Sequence, residues 1–251
     1  MDSILRFATG LSSVENFARD VYIKSNLTIE LDHVIKLLFA ENAFIHSDSE
    51  SRVLIETPTV SLLCDIIEAI FLHGLKAKLS SRMSNIFSGK AQNNGFTLDY
   101  WPIVLILCHN EESRNLKQLK NISTDIGRCR AWLRSALNES LFRSYFNTLI
   151  YDSSLLNGFY RTSAFIRDSQ HTEMMRQLII DLDNCVFHLP IDNVDLNYWS
   201  NKTLNFLGIN ILVDDTLVVT ALDAIHLISE NKSIVCNFCF FIILDYIFFI
   251  F

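Results

Sequence analysis

Apolar residues recur every three or four positions through most of the chain up to residue 200, which is the spacing of amphipathic helices. Residues 28–44, TIELDHVIKLLFAENAF, predict a first helix, and a polar stretch, HSDSESR, follows it. Residues 57–76, TPTVSLLCDIIEAIFLHGLK, predict a second. Pro58 suits its first turn and Gly74 the left-handed position after its last turn. His73 then lies at the carboxyl end of the helix, where partial negative charge favours the protonated imidazole.

The helical pattern lapses over residues 76–96, KAKLSSRMSNIFSGKAQNNGF, which predict a long loop of the kind that often carries function. It resumes at LDYWPIVLILCHN, continues through EESRNLKQLKN and enters residues 123–140, STDIGRCRAWLRSALNES. Two later stretches, LFRSYFNTLIYDSSLLNGFY and SAFIRDSQHTEMMRQLIIDLDN, also have apolar residues at helical spacing.

Residues 123–140 concentrate three arginines beside a broad apolar helical face that contains Trp132, which we interpret as a packing residue. On a helical wheel Arg130 and Arg134 share one flank of that face, and Arg128 lies roughly 160° from Arg130. At least one arginine therefore has a structural role, such as pairing with a carboxylate or with the carboxyl end of a helix. A structural role of this kind is more expected for Arg128 than for Arg130.

The composition favours helices, because the 251 residues include only seven Gly and three Pro while half of them are apolar. We therefore predict an all-α fold, a single globular helical domain with a hydrophobic C-terminal tail. The predicted domain covers residues 28–200, after an N-terminal extension over 1–27. A C-terminal extension follows over 201–234, and a Phe-rich tail over 235–251.

The tail, VCNFCFFIILDYIFFIF, is shorter than the roughly 20 residues of a membrane-spanning helix and contains Asp245. Two interpretations stay open. The tail is either a marginal membrane anchor, which would make this a membrane-attached protein, or an apolar end that is not part of the fold.

The charge is unevenly distributed. Residues 76–134 hold ten basic and four acidic side chains, a net +6, whereas the whole chain carries −7. A basic region in an acidic protein indicates an acidic partner for that region, unless these charges are simply a solvated face. Nucleic acid is not expected as that partner, because the overall balance is acidic.

The six cysteines are scattered through apolar patterns, and the first twenty residues have no secretory signature. We therefore expect a cytosolic protein with cysteines as small core residues. Cys236 and Cys239 have ligand spacing, but neither a second pair nor a nearby histidine completes a metal site. Without a phosphate loop or a nucleophile motif, the sequence predicts neither an enzyme nor a bound cofactor.

Several ordered blocks resemble the RUN domain: LCDIIEAIFLHGLKAK, DYWPIVL, LLNGFYRTSAFIRD and above all STDIGRCRAWLRSALNES. Within that family, the chain is most similar to the N-terminal RUN domain of the pleckstrin-homology-domain-containing family M of lysosomal adaptors. The resemblance covers roughly residues 28–200.

The resemblance implies a non-catalytic, all-helical module that binds a small GTPase of the Arf-like or Rab type in its GTP form. In family M it further implies a protein peripheral on lysosomes or late endosomes, acting in vesicle trafficking and autophagy, with a link to the HOPS tethering complex. The motifs LHGL and GRCR carry the expected partner-binding residues His73, Arg128 and Arg130. Lys76 and Arg134 are added from charge and wheel position.

Overall fold

The computed structural model describes the backbone of residues 2–45, 52–76 and 98–209, with side chains over 16–41, 53–76 and 98–209. This part of the chain is mainly helical, which confirms the all-α prediction. The helices are α1 (Asp2–Ile45), α2 (Pro58–Leu72), α3 (Trp101–Leu107), α4 (Asn110–Lys117), α5 (Asp125–Asn138), α6 (Phe142–Tyr151), α7 (Ser153–Phe159), α8 (Ser169–Ile180) and α9 (Asn201–Phe206). Three 3-10 turns accompany them: Phe165–Arg167, Asp181–Asn184 and Val194–Asn197.

The central helix is α2, which is buried along almost its whole length. Pro58 opens it, as the sequence predicts, and Thr57 caps its first turn. Gly74, with φ of 76°, ends it in the left-handed region. The residues that start and end this helix are therefore ones adjacent to its two ends in the sequence.

An aromatic cluster joins α2 to α3 and α5. The ring of Phe71 lies 5.1 Å from that of Tyr100 and 5.7 Å from that of Trp132, measured between centroids. Trp132 is fully buried. Its interpretation as a packing residue is confirmed.

Helix α1 is longer than predicted, and the expected boundary between residues 27 and 28 falls inside it. Ile23 and Leu27, which precede that boundary, belong to the same hydrophobic core as the rest of the domain. At the other end α9 packs on α2, and Leu207 is also a core residue. The packed unit thus extends beyond both ends of 28–200, because core contacts do not stop where the helical pattern is easiest to recognise.

Two short strands were not predicted. β1 (Arg52–Ile55) and β2 (Cys185–His188) pair in parallel, with Leu54 opposite Phe187 on the buried face. Each strand has only four residues, which is too few for an alternating pattern to stand out in a helical chain. The continuous helical pattern predicted from residue 98 into α5 corresponds to separate helices, since α3 ends at Leu107 and α4 begins at Asn110.

Several predictions lie outside the described residues: most of the loop over 76–96, the tail over 235–251, and the Cys236 and Cys239 pair. The cysteines that the structure does describe, Cys64, Cys108, Cys129 and Cys185, are all buried. Of the helices in the described ranges, none combines the length and the apolar character needed to cross a bilayer.

Candidate partner-binding site

The amino end of α5 is joined to the 3-10 turn Val194–Asn197 by the side chain of Asn197. Its Oδ1 accepts hydrogen bonds from the backbone N–H groups of Ser123 (2.8 Å) and Thr124 (3.2 Å). Its Nδ2 donates to the carbonyl oxygens of Asn121 (2.8 Å) and Val194 (3.0 Å). One buried amide thus fixes the chain before α5 and the turn to each other.

Gly127 permits this close approach. A Cβ atom at this position would lie 2.8 Å from Asn197 Oδ1 and 2.9 Å from Ile122 Cγ2. The glycine of the GRCR motif therefore has a packing role at the helix end. Thr124 caps the same turn, because its Oγ1 accepts from the N–H of Gly127 at 2.9 Å.

Arg130 and Arg134 are buried under this end of the domain, only 7% and 3% exposed. Both reach the carboxylate of Glu68, which is fully buried on α2. Arg130 Nε donates to Glu68 Oε1 at 3.0 Å, and Arg134 Nη1 approaches the same oxygen at 3.4 Å. The two arginines and the glutamate form a buried ion network between α5 and α2.

Further groups complete the network. Asp65 Oδ1 lies 3.7 Å from Arg130 Nη2, and Thr203 Oγ1 donates to Glu68 Oε2 (3.2 Å) or to Asp65 Oδ1 (3.3 Å). Burial and then the neighbouring charge of Glu68 raise the pKa of Asp65, against the smaller opposing effects of Ser200, Arg130 and Thr203.

Arg130 also holds the surface above it. Its Nη1 donates to the carbonyl oxygens of Asp195 (3.2 Å) and Tyr198 (2.5 Å). The side chains of Val194 and Tyr198 in the same segment are 60% and 53% exposed. The buried guanidinium therefore fixes the backbone that presents two large apolar side chains to solvent.

Arg128 is the more accessible arginine of the motif. Its side chain retains 22% of its exposure and pairs with Asp125, one turn earlier on α5. The structure therefore reverses the expected weighting: Arg130 has the buried structural role, and Arg128 lies at the surface. A guanidinium at this position is able to exchange its neighbouring carboxylate for one on a partner.

His73 is buried and holds α1 against the domain. Its Nδ1 accepts the N–H of Phe165 at 2.9 Å, which leaves the proton on Nε2, 3.5 Å from Asp20 Oδ1 of α1. Burial lowers the pKa of His73, although Asp20 opposes this shift. The expectation of a favoured protonated imidazole is therefore wrong, because loss of hydration outweighs the end of the helix.

Lys76 is half-buried just after α2. Its Nζ donates to the carbonyl oxygen of Asn157 at 2.7 Å, and its backbone N–H bonds to the carbonyl of Phe159. The structure therefore joins Arg130 and Arg134 through Glu68, and it gives Lys76, His73 and Arg128 separate contacts of their own.

The sequence analysis missed Glu68, Asp65, Asn197 and Tyr198. A signal for the first two was present, since they are acidic residues three positions apart inside an otherwise apolar helix. Such residues are buried with cationic partners, and the arginines four apart on α5 supply them. No comparable signal marks Asn197 or Tyr198, because their role depends on a turn that folds back over α5.

Within the described ranges no group of three or more His, Cys, Asp and Glu side chains is arranged to hold a metal ion. At the amino end of α5 exposed Lys120 is accompanied by Asp192, which accepts the backbone N–H groups of Lys120 (3.2 Å) and Asn121 (2.8 Å). Exposed Asp195 lies in the adjoining turn. This end therefore combines partly exposed Arg128, charges of both signs and exposed apolar side chains, which is the mixture of residues found at protein–protein interfaces.

Comparison with known proteins gives a match to the family model described as the RUN domain, over residues 62–193. The chain is also similar to pleckstrin homology domain-containing family M member 2 of Mus musculus, at 28% identity over 130 residues. The Homo sapiens protein of the same name is 27% identical over 130 residues. Each alignment covers 52% of this chain and 11% of the relative, so the similarity concerns a small part of those proteins.

Proposed function

Because the chain belongs to the RUN domain family, we propose that it is a non-catalytic adaptor that binds a small GTPase in its GTP form. The observation that carries this proposal is the family match itself, which covers most of α2 and all of α5 and ends just before the turn Val194–Asn197. The similarity to family M members extends the proposal to an Arf-like or Rab GTPase of late endosomes and lysosomes. Recruitment to those membranes and to a tethering complex such as HOPS would then follow from the partner.

The proposed contact surface is the amino end of α5, with Arg128, Val194 and Tyr198. Exposed aromatic and arginine side chains are the residue types that contribute most to the free energy of protein association. Arg128 and Lys120 would increase the rate of association with an acidic surface, and this effect would weaken with added salt.

Arg130, Arg134 and His73 contribute to binding indirectly in this proposal. The donors of Arg130 are engaged with Glu68, Asp195 and Tyr198, so direct contact with a partner would require breaking buried bonds. Arg134 is similarly bonded, and His73 holds α1. These three are positioning residues. Lys76 is only half-buried, so its side chain is accessible enough to be a second, peripheral contact residue.

The test is a pull-down of the full chain with Arf-like and Rab GTPases, each loaded with a GTP analogue or with GDP, at low and physiological salt. Selective, salt-sensitive capture of a GTP-loaded protein is expected. Failure of a folded chain to retain any GTP-loaded member of either family would overturn the proposal.

The surface itself is tested by matched substitutions. Arg128→Glu is compared with Arg176→Glu, because Arg176 also pairs with a carboxylate three residues earlier, Glu173. Tyr198→Ala is compared with Tyr151→Ala, since Tyr151 is 71% exposed on α6. Loss of at least about tenfold in affinity is expected for the first variant of each pair only. Equal effects within both pairs would place the contact elsewhere.

A further inference from the structure

The two strands of the small parallel sheet differ in their neighbours. Directly after β2, Leu189 is fixed to α5 by Asn138, whose Oδ1 accepts its N–H at 2.8 Å and whose Nδ2 donates to its carbonyl oxygen at 3.0 Å. Within the described residues, the backbone of β1 is paired with that of β2 and with no other segment. The far side of β1 is therefore an unpaired strand edge, which is a template for a further strand.

The residues of β1 suit such pairing. Its sequence, RVLI, contains no Pro, Gly or Lys, which are the residues that commonly block an edge or weaken a strand. Val53 and Ile55 are 42% and 60% exposed on the outward face of the sheet, whereas Leu54 is buried on the inner face. Val186 of β2 continues the outward face. The exposed side chains are thus β-branched ones, which favour sheet formation.

The order of residues along β1 fits a second copy of the same strand. Antiparallel pairing of two β1 strands about a twofold axis at Leu54 puts position 52 of each chain opposite position 56 of the other, and position 53 opposite 55. Position 52 is Arg, and position 56, directly after the strand, is Glu. This register pairs opposite charges at both ends and Val with Ile between them. A shift by two residues in either direction would place one of these charges opposite Leu54.

Glu56 is accessible for this contact, since its side chain keeps 34% of its exposure. Its Oε1 accepts from Ser61 Oγ at 2.5 Å and lies 3.7 Å from Arg134 Nη2. Within the described residues, its Oε2 accepts no hydrogen bond. An incoming guanidinium could therefore bond to Oε2 while Oε1 keeps its own contacts.

We propose that two copies of this chain associate through β1 and form a four-stranded sheet in the order β2, β1, the second copy's β1 and its β2. The outward side chains of Val53, Ile55 and Val186 from both copies then form one continuous face. A four-residue edge buries much less than the roughly 1,200–2,000 Å² of a stable interface, so weak association is expected, at about 0.1–1 mM. This surface uses none of the residues of the proposed GTPase contact, so the two proposals are independent.

Sedimentation equilibrium of the full chain tests the proposal with two charge variants. Arg52→Glu and Glu56→Arg each place like charges opposite one another in a self-pair, whereas a mixture of the two restores opposite charges at both ends. Each variant alone is expected to dimerise about tenfold more weakly than the unsubstituted chain, and the mixture to regain dimerisation. An unsubstituted chain that stays monomeric at about 1 mM would overturn the proposal. Variants that associate as well alone as when mixed would also overturn it.

Disulfide formation provides a second measurement that keeps both charges. Val53→Cys and Ile55→Cys are placed in separate chains of different mass, each with Cys236→Ser and Cys239→Ser, because the other four cysteines are buried. Oxidation is expected to give mainly the mixed link, since directly opposite residues lie closer than the diagonal 53–53 and 55–55 pairs.

The control is Val186→Cys, which is exposed on the same face but would lie three strand spacings, about 14 Å, from its counterpart. It is expected to form no disulfide. Equal yields with this control, or an excess of 53–53 and 55–55 links over the mixed one, would overturn the edge pairing.

Discussion

Arg130 of α5 and Glu68 of α2 form a buried ion pair, with Nε 3.0 Å from Oε1 and the glutamate fully shielded from solvent. The same guanidinium bonds to the backbone of Asp195 and Tyr198. One side chain thus links the central helix of the domain to the proposed contact surface. We therefore expect substitutions of this network to change both the stability of the domain and the affinity for a partner, and different substitutions to affect the two to different degrees.

Glu68→Ala is expected to lower the free energy of unfolding by about 3–5 kcal/mol, because it leaves two buried guanidinium groups without their shared carboxylate. Urea denaturation of the full chain measures this change. The control is Asp32→Ala, which removes the largely exposed pair between Lys36 and Asp32 and should cost no more than about 0.5 kcal/mol. Similar losses in both variants would mean that the buried network does not stabilise the fold.

Arg130→Lys is expected to keep a positive charge near Glu68 but to lose the bonds to Asp195 and Tyr198, since one ammonium group cannot replace the planar guanidinium. Hydrogen exchange over residues 194–198 should become faster, and GTPase affinity should fall with it. Arg128→Ala should lower affinity without faster exchange there, because Arg128 makes no bond to that segment among the contacts described. Unchanged exchange in Arg130→Lys would remove its positioning role.

Buried His73 and its partner Asp20 should each make the domain less stable in acid. Burial lowers the pKa of His73 below its ordinary 6.5, against the opposing effect of Asp20, so the unfolded chain binds this proton first and stability falls as the pH drops below about 6.5. Burial raises the pKa of Asp20, but hydrogen bonds with His73 and Ser163 and the nearby charges lower it overall to about 2 from 3.8. The stability that the ionised carboxylate provides, about 2 kcal/mol, is present above pH 3.8 and lost between 3.8 and 2.

Chemical denaturation from pH 7.5 to about 2 measures this dependence. His73→Asn should flatten the fall between pH 7 and 5, although it lowers stability at neutral pH. His33→Asn is the control because His33 is exposed on α1, the helix that carries Asp20. If the slope of the His73→Asn profile matches that of the unsubstituted chain, the buried imidazole is not its source.

Gly74→Ala is expected to destabilise the domain by about 2 kcal/mol or more, because Gly74 has φ of 76° and a Cβ there would lie 2.4 Å from the Cβ of Ala164. Gly158→Ala should instead stabilise it by up to about 1 kcal/mol, since Gly158 lies in α7 with nothing within 4 Å of its Cβ position. Thermal unfolding of both variants measures the contrast. Effects of the same sign would contradict it.

Features that depend on residues close together in the chain could be predicted before the fold was known. Pro58 and Gly74 mark the ends of α2, and the apolar face of α5 includes Trp132. Each signal acts within one or two turns, where spacing along the chain fixes spacing in space. The all-α class and the family resemblance followed from such local blocks.

Which charged side chains are buried depends on contacts between elements that are distant in the chain. A helical wheel gives the angle between Arg128 and Arg130, but it does not show what covers each side of α5. Glu68 lies 62 residues from Arg130, and Asp195 lies 65 residues from it. Their meeting depends on how helices and turns stack, so the arginine that the sequence favoured for contact proved to be the buried one.

The same reason applies to α1. Its periodic pattern predicts a helix over residues 28–44, yet only packing shows that Asp20 and Lys24 face the domain while Tyr22 and Ile29 face outward. Charged residues turn inward here because His73 and Asp168 provide partners. Periodicity along a chain establishes that a helix has two faces, and the partners supplied by the rest of the fold establish which of them is inside.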